Sequence, residues 1–140
     1  MSDKRFRPNQ QIALSILTAL AFITHAHAME QSKHYERNIK VVQALKDAGS
    51  DFTKLHNIEH HLYCHTEADF NLAITLGKNS GYSVANEGKH EDDKGVFWAL
   101  DLVKQSTPDI SSIEKQSIEI ERIAEKANAD YDGWGTEVEQ

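Results

Sequence analysis

Apolar and polar residues follow two different periods along this chain, and each change of period marks a new element. Between residues 32 and 48 the apolar side chains recur every three or four positions, which is typical of an amphipathic helix. Gly49 follows and is suited to end that helix. From residue 57 to residue 65 the pattern changes to alternation, which predicts a strand buried on one side.

The middle of the chain predicts a second helix and a strand. Thr66 is a good N-terminal cap, and the acidic residues after it suit the first turn of a helix that ends near residues 79–81. Residues 82–86 predict a short strand. The charged segment 87–95 has a glycine near each end and predicts a hairpin loop.

The last third of the chain predicts a strand, a helix and a strand. Residues 96–103 are rich in β-branched and aromatic side chains, Pro108 and Asp109 begin a helix, and residues 131–138 form the final strand. After the leading helix the order is β-α-β-β-α-β. This predicts an α+β protein of the ferredoxin-like, split βαβ type, with a four-stranded antiparallel sheet, helices on one face and an extra N-terminal helix.

The first 28 residues have the composition of an export signal. Three basic residues precede an uncharged apolar run at residues 12–24, and Ala26 and Ala28 fit a signal-peptidase site before Met29. The run is about 13 residues long, whereas a transmembrane helix needs roughly 20.

We therefore expect a secretory signal peptide at residues 1–28 and one domain at residues 29–140. Cleavage would place the protein in the periplasm or outside the cell and leave it without a stable membrane anchor. Two alternatives are open: an uncleaved anchor, or a true start at Met29, which would make the protein cytoplasmic.

The charge of the expected mature chain narrows the classes of partner. Residues 29–140 carry 12 basic and 21 acidic side chains, a net charge of −9. This argues against direct binding to nucleic acid, whose phosphates require clusters of lysine and arginine. It suits a protein partner with a basic patch, approached by electrostatic steering.

Four histidines within ten residues raise the question of a metal site. They are His56, His60, His61 and His65. Glu59, His61 and His65 share one face of the predicted strand and could supply zinc ligands. However, positions four apart on a strand are about 13 Å from each other, too far to hold one ion without a second strand. We expect no metal site and no cofactor, and we place His60 on the core side.

Three other residues need an interpretation. Cys64 alternates onto the apolar side of its strand, so we expect a small buried hydrophobe and no nucleophile. Asp101 interrupts an apolar strand and is either a solvated, outward-facing residue or a partner contact. Trp134 is either a core residue, which we rank first, or an exposed anchor of an interface.

The most specific motif is Asp132-Gly133-Trp134, within an acidic strand punctuated by glycine. This ending resembles the C-terminus of the regulator of ribonuclease E activity B family, and the resemblance covers about residues 39–138. It implies a small acidic protein with a ferredoxin-like fold that binds a ribonuclease, lowers its activity and has no catalytic centre.

We expect binding to take place on the acidic sheet face and its rim, and the net acidic charge predicts a basic patch on the partner. The residues expected there are Glu91, Asp92, Asp93, Asp101, Asp132, Gly133 and Trp134. Ribonuclease E acts inside the cell, so a cleaved signal would keep the fold and change the partner.

Two other functions are compatible with the sequence. One is an exported small binding module or enzyme that uses the histidine-rich strand for a metal or a small ligand. The other is a domain that has kept the fold and lost its partner, because a fold by itself does not determine function.

Overall fold

A computed structural model describes residues 29–140. The export signal expected at residues 1–28 lies outside the described residues. Within the described part, no helix combines the length and the hydrophobicity that crossing a bilayer requires.

Three helices and four strands make up this part of the chain. They are α1 (Tyr35–Asp47), β1 (His56–Cys64), α2 (Glu67–Asn79), β2 (Ser83–Asp92), β3 (Gly95–Ser106), α3 (Ile110–Lys126) and β4 (Ala129–Gly135). The order confirms the predicted leading helix followed by β-α-β-β-α-β. Two caps explain where helices begin: the Thr66 side chain accepts a hydrogen bond from the Asp69 amide, and the Asp109 side chain accepts one from the Ser112 amide.

The strands form one antiparallel sheet in the order β2-β3-β1-β4. Consecutive strands β1 and β2 are separated by β3, which is the split βαβ arrangement. Strands β1 and β3 are central, and β2 and β4 are the edges. The fold class predicted from the sequence is confirmed.

The core lies between the sheet and the helices, on one face of the sheet. Leu62 of β1, Leu100 and Leu102 of β3, and Ile120 of α3 are all at most 1% exposed and belong to one cluster. Burial of each such side chain contributes about 1.5–3 kcal/mol. Beside this cluster, α1 closes a second one that includes Ile58, Ile113 and Trp134, so α1 is part of the same helical layer.

The predicted hairpin loop at residues 87–95 is wrong. Strand β2 continues to Asp92, which pairs with Gly95, and the turn consists of Asp93 and Lys94 alone. The pattern misled because β2 is an edge strand, where charged side chains remain in water and discourage pairing with other chains. The register shifts between Ala85 and Gly88, which marks a β-bulge.

The end of the chain also differs from the prediction. Strand β4 ends at Gly135, and the following residues leave the sheet to bind other segments. The Thr136 hydroxyl donates to the Asn57 carbonyl over 2.7 Å, and the Asp51 amide donates to the Glu139 carbonyl over 2.7 Å. These contacts give the residues after β4 a fixed place beside β1.

Candidate functional site

The second face of the sheet carries no helix, and we call it the open face. Its residues follow from the register, because directly paired residues point to the same side and neighbours along a strand alternate. They are Asn57, Glu59, His61, Tyr63, Ser83, Ala85, Gly88, His90, Asp92, Gly95, Phe97, Ala99, Asp101, Val103, Gln105, Asp130, Gly133 and Gly135.

The open face is acidic. Among its strand residues are four carboxylates, on Glu59, Asp92, Asp101 and Asp130, and no lysine or arginine. Two cations stand at its border: Lys94 in the hairpin turn, whose amide bonds Asp92, and Arg37 of α1, whose guanidinium lies against Gly133.

Asp101 lies at the centre of the open face but is not solvated as expected. The residue is 8% exposed. Its Oδ1 accepts a hydrogen bond from His61 Nδ1 at 2.6 Å, and its Oδ2 accepts one from Asn86 Nδ2 at 2.7 Å. The outward orientation was predicted correctly, and the solvation was wrong because side chains from β1 and β2 cover the carboxylate. We call these three residues the Asp101 node.

Asn86 is a functional candidate that the sequence did not reveal. It lies in the β2 bulge with φ at +50°, in a left-handed region where asparagine is enriched among non-glycine residues. The bulge turns its side chain toward Asp101. An asparagine inside a predicted strand was the available signal, and only the pairing with β3 shows what it contacts.

Three aromatic rings cross the open face near the hairpin. Tyr63 meets Phe97 edge to face at 6.0 Å between centroids, and His90 stacks on Phe97 at 5.3 Å. A groove of about 380 Å³ beside them is also lined by His65 and Asp92. His90 was missed because its segment was predicted to be a loop.

The acidic hairpin residues do not act as one group. Asp92 belongs to the open face and accepts a hydrogen bond from the Lys94 amide at 2.9 Å. Glu91 pairs with Val96 and points to the helix side, and Asp93 is in the turn. All three are exposed, so the structure brings one of the three to the open face.

The Asp-Gly-Trp motif is divided between the two faces. The register shift opposite His61 and Leu62 leaves Asp132 as the extra residue of a bulge, and its carbonyl accepts a hydrogen bond from Arg37 Nη2 at 3.0 Å. Gly133 has φ at +106° and pairs with His61 on the open face. Trp134 is 7% exposed and donates from Nε1 to Asn38 Oδ1 at 2.9 Å. It is a core residue, as ranked first, and its indole is not an exposed anchor.

The candidate metal ligands are not brought together. His65 contacts Asp130 at 3.0 Å, whereas His61 contacts Asp101, and Glu59 lines a separate cavity of about 330 Å³ with Gly135. In the part of the chain that the structure describes, no three histidine, cysteine or acidic side chains are placed to hold one metal ion.

His60 and Cys64 are sealed in the core, as predicted. His60 is fully buried, its Nε2 donates to Gln116 Oε1 at 3.0 Å, and its Nδ1 accepts from the Tyr131 hydroxyl at 2.8 Å. Burial lowers the pKa of His60 to about 4 and raises the pKa of Cys64 to about 11. Both groups are therefore neutral near pH 7 and inaccessible to a substrate.

Comparison with known proteins gives a consistent result. One family profile, described as "Regulator of ribonuclease activity B", matches residues 35–136. Proteins named "Regulator of ribonuclease activity B" are similar over most of their length. The one from Pseudoalteromonas atlantica is 34% identical over 76% of this chain and 92% of its own. The one from Photobacterium profundum is 31% identical over 81% and 86%, and the one from Idiomarina loihiensis 34% over 71% and 79%.

Proposed function

The chain belongs to the regulator of ribonuclease activity B family, and from this premise we propose that it regulates a ribonuclease by binding to it as a protein. The surface that we assign to this binding is the open face. The observation that carries the assignment is the charge of that face, four carboxylates without a lysine or arginine among its strand residues.

Charge complementarity supports this choice of surface. Proteins that act on RNA carry basic patches, because they must neutralise phosphates. An acidic face can steer such a patch into an encounter and fix its orientation. The helix-facing side of the central strands β1 and β3 offers no comparable surface, since most of its side chains are packed in the core.

The chemistry of the described residues supports binding without catalysis. In residues 29–140 the single thiol, on Cys64, is buried and its pKa is raised, which disfavours the reactive thiolate. The His61–Asp101 pair forms no hydrogen bond to a serine, threonine or cysteine within the same residues. A nucleophile activated by a base, as covalent catalysis requires, is thus not assembled there.

The test is an RNA-cleavage assay with ribonuclease E of the same host, using the protein purified from that host. We expect the wild type to slow cleavage. A triple variant that reverses charge on the open face, Glu59→Lys, Asp92→Lys and Asp130→Lys, should lose this effect at physiological salt. Inhibition by the wild type should weaken as ionic strength rises, because salt screens charge attraction.

A matched control separates the face from the total charge. The variant Glu36→Lys, Asp47→Lys and Glu125→Lys changes the net charge equally at exposed positions on α1 and α3. It should inhibit like the wild type. Equal inhibition by both triple variants would refute the open face as the binding surface, and no slowing by the wild type would refute regulation of ribonuclease E.

We also propose that residues 1–28 are an export signal that is cleaved before Met29. This proposal decides which ribonuclease the protein meets. The measurement is the N-terminal residue and the cell fraction of the protein in its own host. A start at Met29 in the periplasmic fraction would support export. The ribonuclease met in the cell would then be a different one, and ribonuclease E would serve in the assay above only as a probe of the open face. An intact or internally started chain in the cytosol would refute export.

A further inference from the structure

We infer that His61 is the specificity-determining contact of the open face, where its Nε2 accepts a hydrogen bond from an arginine side chain of the partner. The inference rests on the proposed function for the existence of that partner. The geometry of the Asp101 node supplies the chemistry of the contact.

The node fixes which nitrogen of His61 carries the proton. An ionised carboxylate has only acceptor oxygens, so His61 Nδ1, at 2.6 Å from Asp101 Oδ1, must be the donor. In the neutral ring the second nitrogen, Nε2, is then an acceptor. Within residues 29–140 it forms no hydrogen bond of its own, and the His61 side chain is 37% exposed. The open face thus presents one oriented acceptor.

Asp101 and Asn86 act as positioning residues. Each Asp101 oxygen has one donor, His61 on one side and Asn86 on the other. Because Asp101 is 8% exposed, the carboxylate depends on these donors more than on water. Asn86 holds its place in a left-handed conformation at φ +50°, a strained backbone region that is common at functional sites.

Strand β4 leaves the way to Nε2 open. Gly133, which pairs with His61, is buried and covered by the Arg37 guanidinium, whereas Gly135, which pairs with Glu59, has only the His61 ring within 4 Å of the point where its β-carbon would be. The Nε2 atom lies 3.6 Å from that point. A side chain that enters over Gly135 therefore reaches His61 Nε2.

The surroundings select an arginine. An acceptor nitrogen on a face whose strand residues carry four carboxylates and no lysine or arginine favours a cationic donor. Glu59 is two positions from His61 on the same face, about 6.5–7 Å along the strand. A guanidinium has five N–H donors in a planar fork, so it can serve Nε2 and the Glu59 carboxylate together. An ammonium group has its three donors on one nitrogen, so it spans a shorter distance than the guanidinium fork.

The first experiment examines the free protein by nitrogen-15 NMR of its histidine rings at pH 8, with His61→Gln used to assign the His61 signals. We expect Nδ1 to carry the proton and Nε2 to be bare. N-acetyl-arginine amide is then added, with the neutral citrulline analogue as the matched probe. The Nε2 resonance should shift with arginine and not with citrulline. A proton on Nε2, or an equal response to both probes, would overturn the inference.

The second experiment measures the affinity for ribonuclease E of the same host. His61→Phe removes the acceptor, and we expect binding to weaken about tenfold or more, the loss of one charged hydrogen bond. Gly135→Ala places a methyl group against Nε2 and leaves the node intact, so it should weaken binding in the same direction even if His61→Phe folds poorly. His34→Phe, at the start of α1 on the helix side, where the histidine bonds Glu121, is the control and should bind like the wild type.

The outcomes separate this inference from the proposed function. If His61→Phe and Gly135→Ala both bind with the affinity of the wild type, the inference is overturned and the proposed function stands. Absence of wild-type binding would overturn ribonuclease E as the partner, and the arginine titration would then decide the inference by itself.

Discussion

His60 and His61 are adjacent in the chain but lie on opposite faces of one sheet, and the two faces differ in what surrounds a polar group. His60 is fully buried between β1 and α3, with both ring nitrogens bonded inside the protein. His61 has one nitrogen bonded to Asp101 and no bond at the other among the described residues, and its side chain is 37% exposed.

The comparison shows that the two faces of strand β1 have different roles. On the helix side, buried polar groups such as the two ring nitrogens of His60 are tolerated because they are hydrogen-bonded inside the protein, and burial supplies the stability. On the open side, side chains such as Tyr63 are largely exposed, so their loss costs less stability, and His61 of the Asp101 node remains accessible to a partner. The following expectations test this division, beginning with the largest effect.

The largest difference should appear between two neighbouring residues, Leu62 and Tyr63. Leu62 is 1% exposed, whereas Tyr63 is 37% exposed on the open face. We expect Leu62→Ala to lower the free energy of unfolding by about 2–5 kcal/mol through lost burial and a cavity. Tyr63→Ala should lower it by about 1 kcal/mol or less. Urea denaturation followed by circular dichroism measures both, and equal losses would contradict the division of the faces.

The next effect is a pH dependence that belongs to His60. Burial lowers its folded pKa to about 4, while an unfolded histidine has a pKa of about 6.5. Between these pH values the unfolded chain binds more protons, so the free energy of unfolding is at its full value above pH 6.5 and falls as the pH drops toward 4. The expected loss is roughly 3 kcal/mol.

Urea denaturation across pH 7 to 4 measures this loss. His60→Gln should remove most of the slope, because it lacks the titrating group. His61→Gln keeps His60 and should keep the slope. A wild-type slope that survives in His60→Gln would show that other groups cause it.

A smaller loss of stability is expected for Trp134, whose side chain extends from β4 into the core. Trp134→Phe removes the indole donor and leaves the oxygen of Asn38, which is 1% exposed, without it. We expect a loss of about 1–3 kcal/mol. Trp98→Phe is the control, because Trp98 is only half-buried, and it should lose less. Thermal unfolding compares the two variants, and a larger loss for Trp98→Phe would refute the structural role of the indole bond.

The smallest change in stability should come from the Asp101 node. Asn86→Gly removes a hydrogen bond and relieves the left-handed conformation, so the two effects partly offset, with a net change within about 1 kcal/mol. Asn128→Gly is the matched control, since Asn128 has φ at +51° and donates a solvent-exposed hydrogen bond to Asp69. Histidine NMR should show a looser His61 ring in Asn86→Gly alone. An unaltered His61 signal would remove Asn86 from the node.

The sequence predicted the element order and the core side of each central strand. Alternation placed Leu62 and Cys64 in the core and Asp101 on the other side, and these placements are confirmed by burial and register. Thr66 and Asp109 were recognised as helix starts because a cap depends on local backbone geometry. These features depend only on neighbours within a few residues along the chain, so they can be predicted without the tertiary structure.

The site was less predictable. The charged edge strand was taken for a loop, which concealed His90 and the bulge at Asn86. Asp101 was expected to be solvated, since its two hydrogen-bond partners lie 40 and 15 positions away in the chain. Pairing between β1, β2 and β3 had to be known before these three side chains could be placed together.

By itself, the sequence determined the period of each segment, the order of helices and strands, and a net acidic charge. These features follow from the local spacing of residue types and from composition, both of which can be read directly from the sequence. Tertiary structure decided that Trp134 is sealed in the core, that Asp101 is covered, and that His61 presents a free nitrogen above Gly135. The physical reason is that burial and hydrogen-bond partners depend on which strands lie side by side, and the register between strands is fixed only when the helices close over one face of the sheet.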